Sequence, residues 1–273
     1  MSECSHDCSS CSQNCGDREK PQSFLKPMNK YSNIKKVIGV VSGKGGVGKS
    51  LVSCLLAAKC AKAGLKVGVL DADITGPSVP KSFGVNSRAM QDDECLLPNV
   101  TKSGIKIMSI NLLLEDVNSP VVWRGPVISG VIEQFWTDVR WGNLDYLFVD
   151  MPPGTGDVAL TVFQSLPIDG IVIVSTPQDL VKMIVNKALN MAKMMNVPVL
   201  GLVENMSYFE CPDCGKKLEI FGKSAIDETA AELGLPVLAK LPVNPDINRL
   251  VDAGKIEYVD CTELDEFIEA LKQ

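Results

Sequence analysis

Residues 37 to 50 read Val-Ile-Gly-Val-Val-Ser-Gly-Lys-Gly-Gly-Val-Gly-Lys-Ser. A short apolar run breaks into a glycine-rich turn. From residue 49 the pattern becomes helical and continues to about residue 63, where Gly64 stands ready as a C-terminal cap. Strand, loop and helix in that order fit G-x-x-x-x-G-K-[ST] over Gly43, Lys44, Gly45, Gly46, Val47, Gly48, Lys49 and Ser50. The glycines let successive backbone amides turn inward at the positive end of the helix, which suits the phosphates of ATP. Lys49 is expected to meet the outer phosphates and Ser50 to reach Mg2+.

Working outward, the apolar runs VIGVVS, KVGVL, YLFVD, GIVIVS and VPVLGLV are bounded by turn residues, as strands buried on both faces are. A second helical stretch, 180 to 195, ends at Asn196. Alternating strands and helices predict an α/β fold: a doubly wound, mostly parallel sheet with helices on both faces. We assign it to a single domain, residues 35–273. Residues 1–34 lack any periodicity and read as a cysteine-rich tail and linker. Two segments interrupt the alternation. Residues 86–122 resemble an inserted strand pair, and the loop 208–218 contains Cys211-Pro-Asp-Cys214-Gly. Both follow strands, at the carboxyl edge where ligands of parallel sheets sit.

Three carboxylates are candidates for the phosphate site. Asp71 and Asp73 close the run KVGVL, and period two would point them the same way, toward Mg2+ and an attacking water. Helix capping is the alternative role. Asp150 closes YLFVD in the position of a carboxylate that reaches Mg2+ through water. The following Met-Pro-Pro-Gly-Thr-Gly-Asp, 151 to 157, reads either as a switch-like loop or as a rigid turn, with Asp157 capping the next helix.

Charge narrows the function. With 27 Lys and Arg against 33 Asp and Glu, the net charge is -6, and only 5% of the chain is aromatic. Neither favours nucleic-acid binding by counterion release or base stacking. The N-terminal residues show no secretory signal pattern and no apolar run reaches membrane-spanning length, so we expect a cytoplasmic protein with no membrane and no nucleic acid among its partners.

Ten cysteines in a reducing compartment are thiols or metal ligands rather than disulfides. Cys211 and Cys214 supply two thiolates, whereas a tetrahedral Zn2+ or a 4Fe-4S cluster takes four. The pair is half a site, which a symmetric dimer would complete. A redox dithiol and structural zinc are the competing readings. Cys4, Cys8, Cys11 and Cys15 form a second set of four thiols, able to wrap an iron-sulfur cluster or zinc. Cys54 and Cys60 fall among apolar helix residues and read as packing.

The combination GKGGVGKS, LDADITGPSVP, VVWRGP, VDMPPGTGD and ENMSYFECPDCG resembles the Mrp/ApbC family of iron-sulfur cluster carrier ATPases over about residues 36 to 250. Lys44 resembles the early lysine of the deviant Walker A motif shared by MinD and the nitrogenase iron protein. The resemblance implies a homodimer in which Lys44 reaches the facing subunit's phosphates, Asp73 orients water, Asn205 contacts adenine, and Cys211 and Cys214 bind a 4Fe-4S cluster bound for apo-protein clients. Relatives with a four-cysteine N-terminal cluster space those residues more widely. The alternatives are a MinD/ParA-type positioning or partitioning ATPase, against which the acidic ending TELDEFIEALKQ argues, and a zinc-stapled nucleotide-binding adaptor.

Overall fold

A computed structural model describes residues 24–73, 76, 78–114, 125–154, 156–177 and 181–272. Cys4, Cys8, Cys11 and Cys15 lie outside these residues. The sheet is built around β1 (Asn33–Val41), which pairs in parallel with β7 (Asn143–Asp150) on one side and β8 (Gly170–Ser175) on the other. Beyond β7 come β2 (Val67–Asp71) and β6 (Lys106–Ser109), both parallel, and then antiparallel β5 (Asn99–Val100) at the edge. Beyond β8 lies β9 (Val199–Glu210), flanked by parallel β11 (Val237–Pro242) and antiparallel β10 (Lys217–Leu218). β3 (Met90–Gln91) and β4 (Leu96–Leu97) make a separate hairpin.

Period-two alternation sorts each central strand between two cores. Val37 and Val41 of β1, with Ile171 and Ile173 of β8, face α3 (Gly125–Thr137), α4 (Asp157–Ser165), α5 (Val181–Met194) and α6 (Ile226–Leu233). Ile38 and Val40, with Val172 and Val174, face α1 (Lys49–Lys62), α2 (Ser78–Ser82), α7 (Pro245–Asp252) and α8 (Asp265–Leu271). Burying each such side chain stabilises the fold by about 1.5–3 kcal/mol. Helices therefore cover both faces, and the apolar runs of the sequence are its innermost strands. α1 ends where expected: Gly64, at φ 84, takes the left-handed conformation that a side chain would resist, and Leu65 N bonds back to Cys60 O at 3.0 Å.

Three sequence expectations change. The inserted segment is more than a strand pair, because β6 joins the main sheet beside β2; Lys106 interrupts its apolar run, and the ammonium turns to donate to Trp141 O. β11 escapes the apolar-run pattern for the same reason, with Lys240 breaking the run. The linker ends before residue 34: Lys26 N donates to Ser165 O at 2.9 Å, and Lys26 O accepts from the indole of buried Trp136 at 3.0 Å. Asn29 is buried and its amide donates to Thr137 O. None of these polar ties has a hydrophobic period to announce it.

Candidate nucleotide and thiol site

β1 delivers the chain into the glycine loop at the carboxyl edge. Ser42 Oγ donates to Lys44 O at 2.9 Å and so fixes the start of the loop. Gly46 and Gly48 sit at φ 80 and 83, and a β-carbon built on Gly48 would lie 2.1 Å from Asn205 Nδ2. Only glycine allows that approach. No side chain caps α1, which leaves its first-turn amides to a ligand. Gly45, Gly46, Lys49, Ser50 and Asp73 line a cavity of about 360 Å³ over this helix start. A larger cleft between residues 83–102 and 253–258 has none of these groups.

Beneath Lys49 and Ser50, which line the cavity, lies Asp150, which is 0% exposed. Its Oδ1 accepts from Lys49 Nζ at 2.8 Å and from Ser53 Oγ at 2.9 Å, and its Oδ2 accepts from Ser50 Oγ at 2.5 Å. Burial alone would lower the Lys49 pKa, but the Asp150 and Asp73 carboxylates outweigh it and the net shift is upward. Lys49 therefore remains an ammonium. Ser53 is a site residue that the motif does not mark. A serine one helical turn beyond Lys49, on an otherwise buried apolar face, is the available signal.

Asp71 and Asp73 do not share a strand face. β2 ends at Asp71, so period two no longer applies at Asp73. Asp73 approaches Lys49 Nζ at 3.4 Å, whereas the buried Asp71 carboxylate accepts from Ser109 Oγ at 2.8 Å and from Asp73 N at 3.1 Å. Asp71 stands opposite Asp150 in the β2–β7 register. Burial, reinforced by Asp150, pushes the Asp71 carboxyl well above the usual carboxylate range. After β7, Gly154 N donates to Ser42 O at 2.9 Å, tying the Pro-Pro-Gly turn to the glycine loop. Gly156, not Asp157, is the N-cap of α4; Asp157 is its first helical residue.

Asn205 belongs to the same corner. Its amide donates to Val47 O at 3.0 Å, placing β9 against the glycine loop. The strand then runs past the sheet into a hairpin with β10, pairing Glu210 with Lys217 and Phe209 with Leu218. At the tip, Gly215 N bonds to Cys211 O at 2.9 Å and Cys211 N to Lys216 O at 3.0 Å. Cys214 is exposed and Cys211 half-buried. The amides of Asp213 and Cys214, together with the Cys214 thiol, hold the Cys211 thiol below its ordinary pKa. Amides aimed at sulfur favour a thiolate, the form that ligates metals and clusters. Among the described residues, no group of three or more His, Cys, Asp or Glu side chains is placed to hold a metal ion. Cys54 and Cys60 pack inside α1 as expected.

Residues 33–273 match the family model for the NUBPL iron-transfer P-loop NTPases within the ParA group. The chain belongs to this family. An iron-sulfur cluster carrier protein of Clostridium perfringens is 51% identical, with 92% of this chain and 90% of that protein covered. One of Methanocaldococcus jannaschii is 47% identical, with 100% and 97% covered. A nucleotide-binding protein from Archaeoglobus fulgidus, solved in complex with ADP and with Co, superposes with a TM-score of 0.78 at 45% identity, covering 86% of this chain and 92% of that one. The cell division protein MinD of Aquifex aeolicus, at 20% identity and a TM-score of 0.60 over 87% of this chain and 95% of its own, shares the P-loop NTPase fold.

Proposed function

We propose that this chain binds and slowly hydrolyses ATP to control a 4Fe-4S cluster carried between two copies of itself and handed to apo-protein clients in the cytoplasm. One observation carries the reading: β9 touches the glycine loop through Asn205 and bears the Cys211–Cys214 hairpin at its end. Nucleotide chemistry and metal-ligating thiols thus share one strand, and relatives named as iron-sulfur cluster carriers support the reading of the thiols.

The residues present fit a nucleotide and its metal, since the first-turn amides of α1 have no side-chain cap and Ser50 and Asp150 converge beside them. Bound Mg2+ would neutralise charge on the phosphates. Ser50 and Asp150 would hold it, with Asp71 behind them. Lys49 binds the outer phosphates, Asp73 orients water, and Lys44 extends to the partner copy's nucleotide. Asn205 would contact adenine. Cys211 and Cys214 supply half of the cluster ligands, and the tail set Cys4, Cys8, Cys11 and Cys15 a separate cluster.

The test is anaerobic reconstitution with iron and sulfide, followed by iron counting and absorption spectra with and without ATP. A colourless product that retains zinc would sink the reading in favour of a zinc-stapled adaptor. A membrane-positioning role finds no support in α8, where Phe267 and Ile268 are buried against the core. No described helix is long and apolar enough to cross a membrane.

Asp73→Ala is expected to leave nucleotide affinity nearly intact and to reduce phosphate release to background, because cradling and water positioning are separate tasks. Wild-type turnover would remove Asp73 from that role. Gly48→Ala is expected to weaken nucleotide binding about tenfold by calorimetry, because a left-handed backbone costs an alanine roughly 1–2 kcal/mol and its methyl must displace Asn205. Unchanged affinity would show that the Gly48 cradle is not where the phosphates bind.

A further inference from the structure

We propose that Glu204 is a positioning residue through which the nucleotide loop and the thiolate hairpin sense each other. Consecutive residues of β9 serve the two sites. Asn205 donates to Val47 O in the glycine loop, while the Glu204 carboxylate, 0% exposed, accepts from Ser207 Oγ at 2.6 Å and from Ser224 Oγ at 2.9 Å. Ser207 immediately precedes, and Ser224 immediately follows, the segment 208–223 that carries Cys211 and Cys214. A single buried carboxylate therefore closes both ends of the cysteine-bearing segment.

Tyr208 at the base of the segment is tied to β11 and accepts from Val243 N at 2.7 Å, but residues 212–223 beyond it are all exposed and bury no core of their own. The segment's orientation depends on its base. That base is stiff: the Glu204 main chain lies in register between Ser175 of β8 and Lys240 of β11, and a buried carboxylate that loses a donor is left costly and unsatisfied. Between Asn205 and Ser207 the chain turns at Met206, held at φ 57, a left-handed conformation rarely taken by a residue with a side chain. The kink redirects β9, and the Glu204–Ser207 bond spans it. A shift of Val47 and Gly48 on nucleotide binding would press on Asn205, and the adjoining Glu204 would carry that shift to both serines. The proposal rests on the carrier reading for what the hairpin holds, but the communication is measurable without iron.

The experiment is amide hydrogen exchange by mass spectrometry over residues 208–223 of the full chain, with and without Mg-ADP. In the wild type, nucleotide is expected to change exchange rates there about fivefold or more, the range of an ordinary coupling energy. Glu204→Ala should bring that ratio to about twofold or less while nucleotide affinity stays within about twofold of wild type. Glu204→Gln, which keeps an acceptor, should retain part of the effect. A purely structural glutamate would instead speed exchange equally in both states and leave the ratio unchanged. Ser224→Ala cuts the far tie, together with the bond that Ile226 N donates to Ser224 Oγ at 3.3 Å, and it supplies the same comparison if Glu204→Ala fails to fold. A wild-type ratio in either folded variant, or no nucleotide effect in the wild type, overturns the proposal. Such a failure would leave the carrier reading standing, because that reading is decided by the iron count.

Discussion

Replacing Lys49 with alanine is expected to abolish nucleotide binding and to loosen the fold, by two separable routes. The first is loss of charge-assisted bonds to phosphate, worth about 3 kcal/mol or more and hence at least roughly a hundredfold in Kd. The second is internal. Lys49 is the cation facing Asp150, whose carboxylate is fully buried, and removing one partner of a buried pair typically costs about 3–5 kcal/mol. Two serine hydroxyls remain on Asp150, so a loss near the lower end, about 3 kcal/mol, is expected in urea unfolding. Lys49→Met combined with Asp150→Asn removes both charges and should recover much of that stability without restoring binding. If the double variant regains nucleotide affinity, Lys49 is not the phosphate ligand.

Serine at position 211 or 214 is expected to eliminate the shared cluster while leaving ATP binding unchanged, because neither thiol touches the nucleotide cavity. The proposed bridging arrangement also predicts a stoichiometry. With the four tail cysteines replaced by serine, the reconstituted chain should hold one cluster per dimer, about two irons per chain, since each copy offers one thiolate pair to a four-ligand site. A count near four irons per chain, or a cluster on a monomeric species in sedimentation analysis, would defeat the bridging arrangement. The nucleotide assignment would survive either result.

Much of the nucleotide site is legible in the amino-acid sequence. Phosphate cradles need glycines at fixed offsets and strands buried on both faces need unbroken apolar runs, and both leave a direct imprint around residues 37–50 and 146–150. What stays hidden depends on contacts between distant residues. Ser109 reaches Asp71 from a strand that Lys106 disguises, and Asp73 leaves the strand face because β2 stops two residues earlier. Glu204 follows the apolar run VPVLGLV as an exposed residue at a strand's end would. Only the approach of Ser224 from beyond the hairpin shows why a carboxylate is kept there.

The core cysteines have a chemical consequence for anyone working with the protein. Burial pushes the thiols of Cys60 and Cys261 up to about 12, and that of Cys54 well above its ordinary value. At pH 8 a thiol near 12 is ionised only about one part in ten thousand, and alkylating agents and disulfides react with the ionised form. These three sulfurs are spectators. Brief labelling of the native chain at that pH should therefore spare these three, as burial spares Cys95, and mark Cys211 and Cys214 among the cysteines of residues 24–272, so that a reagent count over this stretch reads hairpin occupancy directly, without a spectroscopic signal from iron.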